Sequence, residues 1–128
     1  RFNITLSEGV NFVLSCLKNL LGGEIFIPKL NSYKILDVAK AISPTAKIKI
    51  TGKRPGEKIH EEMITQADSV NSLEFKDYFI IFSNNNQKIF NFYKKKKNGK
   101  LLAKDFSYNS RDNKYLTVSN LKGLISKL

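Results

Sequence analysis

The feature that most restricts the fold is a helix signal that runs into a strand signal across two glycines. Thr5 and Glu8 have the spacing of a capping box, and apolar residues recur behind them at Val10, Val13, Leu14, Leu17 and Leu21. That spacing lays one apolar stripe along a helix, which Gly22-Gly23 ends. Glu24-Ile25-Phe26-Ile27-Pro28 follows at once, a short and nearly all-apolar run that suits a strand buried on both faces. Neither half can bury its apolar surface alone, so a mixed α/β fold is expected. The strand is expected at the edge of a sheet lying largely outside this chain, an exposed edge that invites a chain–chain contact.

The remaining signals repeat this alternation. Asn31 and Ser32 are placed to cap a second helix carrying Ile35, Leu36, Val38, Ala39 and Ile42, stopped by Ser43-Pro44. Lys47 to Thr51 alternates polar and apolar residues like a half-exposed strand, and leads into the turn Gly52-Lys53-Arg54-Pro55-Gly56. Glu57 to Ile64 reads as a short helix with Ile59, Met63 and Ile64 inward. Asp77 to Phe82 reads as a buried strand, Asn84-Asn85-Asn86 as a turn, and Gln87 to Tyr93 as another strand. Lys94 to Lys100 is expected to be a basic turn or loop. Thr117 caps a last helix whose stripe is Val118, Leu121, Leu124, Ile125 and Leu128.

Composition bounds the function. A length of 128 residues fits one domain, read as residues 1–128. No apolar run approaches the roughly 18 residues of a membrane span, so a soluble chain is expected. Arg1-Phe2-Asn3 carries neither an initiator Met nor a secretory leader, which reads as a piece excised from something longer. The single Cys16 fits a reducing cytoplasm and a helix-packing role. A net charge of +11, dominated by Lys, favours polyanions or phosphorylated small molecules.

Chemistry concentrates in Gly52-Lys53-Arg54-Pro55-Gly56-Glu57-Lys58-Ile59-His60-Glu61-Glu62. The planar guanidinium of Arg54 suits phosphate, and a Pro-Gly turn restricts the backbone that presents it. Glu57, three residues on, can accept hydrogen bonds from two vicinal ribose hydroxyls. Together these residues describe a nucleoside-diphosphate clamp; the competing reading is a surface ion pair between Arg54 and Glu57 around an ordinary turn.

The stretch from Lys53 to Ile64 resembles the Arg-Pro-Gly-Glu-Lys-(Leu/Ile)-His-Glu segment of inverting UDP-N-acetylglucosamine 4,6-dehydratases, members of the extended short-chain dehydrogenase/reductase superfamily. Arg1-Phe2 with Ile4-Thr5-Leu6, the Gly23 to Lys29 run, Leu73 to Tyr78 and Phe106 to Ser110 match the same family in order and spacing. The resemblance spans nearly the whole chain. It implies the mixed α/β C-terminal substrate-binding region of such an enzyme, with the N-terminal Rossmann domain missing. It further implies that Arg54 and Glu57 hold the pyrophosphate and ribose of a UDP-sugar, with Arg1 in the same pocket. NADP is implied for the full-length enzyme and none for this chain, as are a homo-oligomer, the cytoplasm and a role in surface-glycan precursor synthesis.

The chain departs from the family in lacking a Gly-rich phosphate loop after a strand. No Tyr-x-x-x-Lys catalytic pair is expected anywhere in the chain, since Tyr33-Lys34 and Tyr93-Lys94 lack its spacing, so this chain alone is expected to be inert. His60 is assigned a structural or surface role, and no metal is expected around Glu57, Glu61 and Glu62. Two alternatives stand beside the dehydratase. One is a UDP-sugar 4-epimerase, whose family carries His where this chain has Pro55. The other is a nucleic-acid module built on Lys94-Lys95-Lys96-Lys97 beside Phe90, Phe92 and Tyr93.

Overall fold

The computed structural model describes residues 1–127. In chain order the elements are β1 (Phe2–Asn3), α1 (Leu6–Asn19), β2 (Glu24–Pro28), β3 (Asn31–Ser32), α2 (Ile35–Ile42), β4 (Glu62–Ile64) and α3 (Gln66–Ser69), followed by β5 (Ser72–Glu74), β6 (Tyr78–Phe82), α4 (Gln87–Lys96), β7 (Lys100–Leu101), β8 (Tyr108–Asn109) and α5 (Val118–Ile125). They divide between two compact units, one of residues 4–29 and 62–108, the other of residues 1–3, 30–61 and the chain from Asn109 onward.

The first of these units is built on an antiparallel sheet in the order β2-β6-β5-β7. β2 pairs along its whole length with β6, from Glu24 opposite Phe82 to Pro28 opposite Tyr78. The sheet therefore forms within this chain rather than outside it, with β2 at one edge. Ile27 is buried but Ile25 is 60% exposed, so β2 is not covered on both faces as its composition suggested. By register Phe26, Ile80, Phe82 and Leu73 share one face, and α4 covers that face with Ile89, Phe90 and Tyr93. Gln87 to Tyr93 are thus helix, not strand. Ile89, Phe90 and Tyr93 fall at i, i+1 and i+4, which puts all three on one side of a helix; the alternating Phe90 and Phe92 had mimicked a strand.

Around this sheet the local signals hold. The Thr5 hydroxyl accepts the Glu8 N–H at 3.3 Å and the Glu8 carboxylate accepts the Thr5 N–H at 2.8 Å, so the capping box starts α1. The helix ends at Asn19, ahead of the glycines. Gly22 and Gly23 then adopt φ of 131° and 81°, and the buried Glu24 carboxylate accepts the N–H groups of Leu21 at 3.0 Å and Gly22 at 2.6 Å. α1 leans on the unit through half-buried Phe12, 6.4 Å from Tyr78, and half-buried Cys16. Val10, Val13, Leu14, Leu17 and Leu21, the stripe expected to turn inward, are exposed. The sequence reading passed over Thr65, whose capping box with Asp68 starts α3, and over β4, which pairs with β8.

In the other unit β1 pairs antiparallel with β3, Phe2 opposite Ser32 and Asn3 opposite Asn31. Asn31 and Ser32 are consequently strand residues and not helix caps; α2 starts after Lys34 without a side-chain cap. Buried Ser32 also bridges Tyr115 in parallel fashion, its N–H donating to Lys114 O at 2.8 Å and its O accepting from Leu116 N–H at 2.7 Å. α2 packs against α5, burying Ala41 and Leu121, and the Thr117 hydroxyl caps α5 as expected. Leu128, assigned to the stripe of that helix, lies outside the described residues.

Two expectations fail here. Lys47 to Thr51 is exposed and forms no strand, because alternation alone does not supply a pairing partner, and none flanks it among the described residues. Glu57 to Ile64 is not a helix. Buried Ser110 pulls this segment straight: its Oγ accepts the Glu61 N–H at 2.9 Å and its N–H donates to Glu61 O at 2.8 Å. Ile59 is left exposed.

Candidate functional site

The unit of residues 1–3, 30–61 and Asn109 onward carries a cleft of about 350 Å³. The position of its one lining carboxylate, Glu57, is set by local turn chemistry. Pro55 and Gly56 occupy the central positions of a turn closed by Glu57 N–H donating to Arg54 O at 3.1 Å, and Gly56 takes the φ of 77° that such a turn demands of its third residue. The Glu57 carboxylate reaches back to accept the Arg54 N–H at 3.1 Å. That bond is the main reason its carboxyl titrates below the ordinary range, with the charges of Arg1 and Arg54 adding to it.

Arg1 reaches the same place from β1. Its guanidinium donates to Glu57 Oε1 at 3.3 Å and to Glu61 Oε1, while its carbonyl accepts the Tyr33 N–H at 2.7 Å. Glu61 is held by Ser110, so Arg1 is fastened at both its backbone and its side chain. Beyond it, Lys34 Nζ sits 5.3 Å over the Tyr115 ring, and both residues line the cleft with Tyr33. Four cations, Arg1, Lys34, Lys53 and Lys58, face one carboxylate, Glu57, among the lining residues. Such a surface favours an anion carrying several oxygens, with a carboxylate and aromatic rings at hand for hydroxyls and a planar group.

The sequence-predicted residues separate accordingly. Arg1 and Glu57 line the cleft and touch one another. Arg54 sits on the turn, exposed, and is not among the lining residues; its backbone N–H, rather than its guanidinium, is what bonds Glu57. His60 is exposed on the cleft wall. Tyr33, Lys34 and Glu61 were weighed in the sequence for other roles and set aside, and Tyr115 was not singled out. Lys34 could have been found as the charged residue opening α2, but Tyr115 arrives only through the bridge to Ser32.

The chain does contain Tyr-x-x-x-Lys spacing, at Tyr93 and Lys97, contrary to the sequence reading. Tyr93 is 1% exposed and donates its hydroxyl to Asn19 O at 2.6 Å, and burial pushes its phenol far up, so it has no access to a reacting atom. The same burial removes Tyr93 from any base-stacking platform beside Lys94 to Lys97, and Phe90 packs 5.2 Å from Phe82 in the core. Among the described residues no group of three His, Cys, Asp or Glu side chains could hold a metal, and no helix is long and apolar enough to cross a membrane.

Fold and cleft together define a mixed α/β chain, with antiparallel sheets, that presents a cationic pocket built on a Pro-Gly turn. The chain belongs to the polysaccharide biosynthesis protein family, whose model matches residues 1–83. It resembles the C-terminal part of the inverting UDP-N-acetylglucosamine 4,6-dehydratase of Campylobacter jejuni, with 52% identity over 81 residues, 63% of this chain and 24% of that protein. An uncharacterised membrane protein of Methanocaldococcus jannaschii is 32% identical over 144 residues, 100% of this chain and 38% of that protein. The crystal structure of Pen from Bacillus thuringiensis superposes with a TM-score of 0.77 at 27% identity, covering 100% of this chain and 37% of that one. The chain thus spans well under half the length of each of these relatives.

Proposed function

We propose that this chain is the nucleotide-sugar-binding part of a longer, NADP-dependent UDP-N-acetylglucosamine 4,6-dehydratase of the extended short-chain dehydrogenase/reductase type, working in cytoplasmic synthesis of surface-glycan precursors. The observation that carries the reading is the meeting of Arg1 and Glu57, the latter tied back to the Arg54 N–H beside it, in one cationic cleft within the segment matched by the family model. Arg1 donates paired hydrogen bonds to the diphosphate when Glu57 releases it, and Glu61 keeps the guanidinium aimed while that exchange occurs. Glu57, freed from Arg1, accepts from the ribose hydroxyls. Arg54 swings its exposed guanidinium onto the diphosphate from the turn.

The residues of this chain do not fit the nicotinamide cofactor. Among the described elements no strand passes into a helix through a Gly-rich turn, and of the Tyr93–Lys97 pair the tyrosine is shut in the core while Lys97 is exposed outside it. Hydride chemistry is therefore assigned to the rest of the longer enzyme, and this chain alone is inert. The exposed apolar stripe of α1 and the open edge of β2 support a working form in which another body, the remainder of the enzyme or a second copy, covers them.

The test is the affinity of the full-length protein for UDP-N-acetylglucosamine, measured by isothermal titration with and without Arg54→Ala. Charge-assisted hydrogen bonds of about 1.5–3 kcal/mol translate to a loss of roughly 10- to 150-fold. Unchanged affinity in the variant removes Arg54 from the site.

A further inference from the structure

We infer that Tyr115 is the nucleobase platform of the cleft, a nucleoside-binding residue on which the planar base lies while the diphosphate lies towards Arg1. The inference rests on the reading of the cleft as a sugar-nucleotide site. It starts from the backbone. β3 stands between two partners: Tyr33 N–H bonds Arg1 O on one side, and Ser32 bonds Lys114 and Leu116 on the other, which fixes Tyr115 by its bridge to Ser32. Arg1 and Tyr115 are therefore held on opposite flanks of one strand, two interstrand spacings or about 10 Å apart. Backbones set that far apart leave room for a base at one side chain and a diphosphate at the other.

The anchoring is rigid. Ser32 is fully buried, and its hydroxyl accepts from Asn113 Nδ2 at 3.0 Å while the same amide donates to Leu30 O at 2.7 Å. The segment that carries Tyr115 is thus tied to β3 by backbone and side chain alike. The half-buried Tyr115 lines the cleft, and the exposed Lys34, another lining residue, holds its Nζ 5.3 Å over the ring centroid. An exposed ammonium over an aromatic face is a weak, exchangeable contact, and a base with its own π-face can replace it. Lys34 then turns to the diphosphate, adding to the cations already facing it. Stacking tolerates any base, so Tyr115 supplies affinity for the nucleoside and leaves base identity to other groups.

The experiment uses the full-length protein and two probes, UDP and inorganic pyrophosphate, titrated calorimetrically against wild type, Tyr115→Ala, Tyr115→Leu and Tyr115→Phe. Tyr115→Ala and Tyr115→Leu are expected to weaken UDP by about 10-fold or more and leave pyrophosphate unchanged, whereas Tyr115→Phe keeps wild-type affinity for both. Tyr115→Leu retains the bulk, so a loss there is a loss of the aromatic face and not of packing. Unchanged UDP affinity in Tyr115→Leu overturns the inference, as does an equal loss of UDP and pyrophosphate. Arg54→Ala separates the two levels: if it weakens UDP while the Tyr115 variants do not, only the platform is refuted. If wild type binds neither probe, the reading of the cleft falls and the platform with it.

Discussion

Removing one hydroxyl, in Tyr93→Phe, tests how the core of the sheet unit is closed. Tyr93 points from α4 into the core, ring to ring with Phe82 at 5.5 Å, and its hydroxyl donates to Asn19 O at 2.6 Å, tying α4 to the last turn of α1. The variant keeps the ring and its packing. It loses one hydrogen bond, about 1 kcal/mol net, and leaves the Asn19 carbonyl short of a donor at a helix end, so a total of about 1.5 kcal/mol is expected. For a chain of this size that lowers the thermal midpoint by roughly 5 °C at pH 7.

The pH dependence sharpens the test. Burial, and next the nearby Glu24 carboxylate, push the Tyr93 phenol above its ordinary value. The unfolded chain therefore gives up this proton first, at pH about 10, while the folded chain holds it. The stabilisation is complete below that pH and declines as pH rises through the interval between the unfolded and folded values. Tyr93→Phe has no proton to lose, so the gap between wild type and variant must narrow above pH 10. Thermal unfolding followed by circular dichroism at pH 7 and pH 10.5 reads both effects. Equal midpoints at pH 7, or a gap that widens with pH, would refute the reasoning.

Two further outcomes concern the cleft. Gly56→Ala forces a side chain into a backbone of φ 77° with no neighbouring atom within 4 Å of the new Cβ, so its cost is conformational, about 1–2 kcal/mol, and appears as a lower midpoint together with weaker UDP binding. The Glu57 carboxyl, held low chiefly by the Arg54 N–H, stays ionised through the ordinary titration range of Glu at about pH 4.3. Its contribution to the turn is present above that pH and is lost as pH falls through the depressed folded value. Carbon-detected NMR titration should place the Glu57 midpoint below that of a free glutamate, and a midpoint at or above 4.3 would show that the Arg54 contact is not formed in solution.

What was legible in the sequence was whatever neighbouring residues decide among themselves. The caps at Thr5 and Thr117 are settled within four residues, as is the Pro55-Gly56 turn that brings Glu57 back to Arg54. The failures share a different cause. Glu57 to Ile64 carries a plausible helical spacing, but Ser110, 49 residues away from Glu61, claims both of the backbone groups that decide its path. Gln87 to Tyr93 fits either period, and only the sheet face presented by Leu73, Ile80 and Phe82 selects the helix. The cleft follows the same rule. Arg1 and Glu57 were found through a motif and Lys34 stands where α2 opens, while Tyr115 enters through the pairing of β3 with residues from the far end of the chain, which no local pattern announces.

The most direct measurement is a crystal structure of the full-length protein with UDP-N-acetylglucosamine bound. The account predicts the diphosphate in the cleft within hydrogen-bond reach of the Arg1 and Arg54 guanidinium groups, with the Glu57 carboxylate on the ribose hydroxyls. A nucleotide seated with its diphosphate away from both arginines, and the Arg1–Glu57 pair still closed, would contradict it.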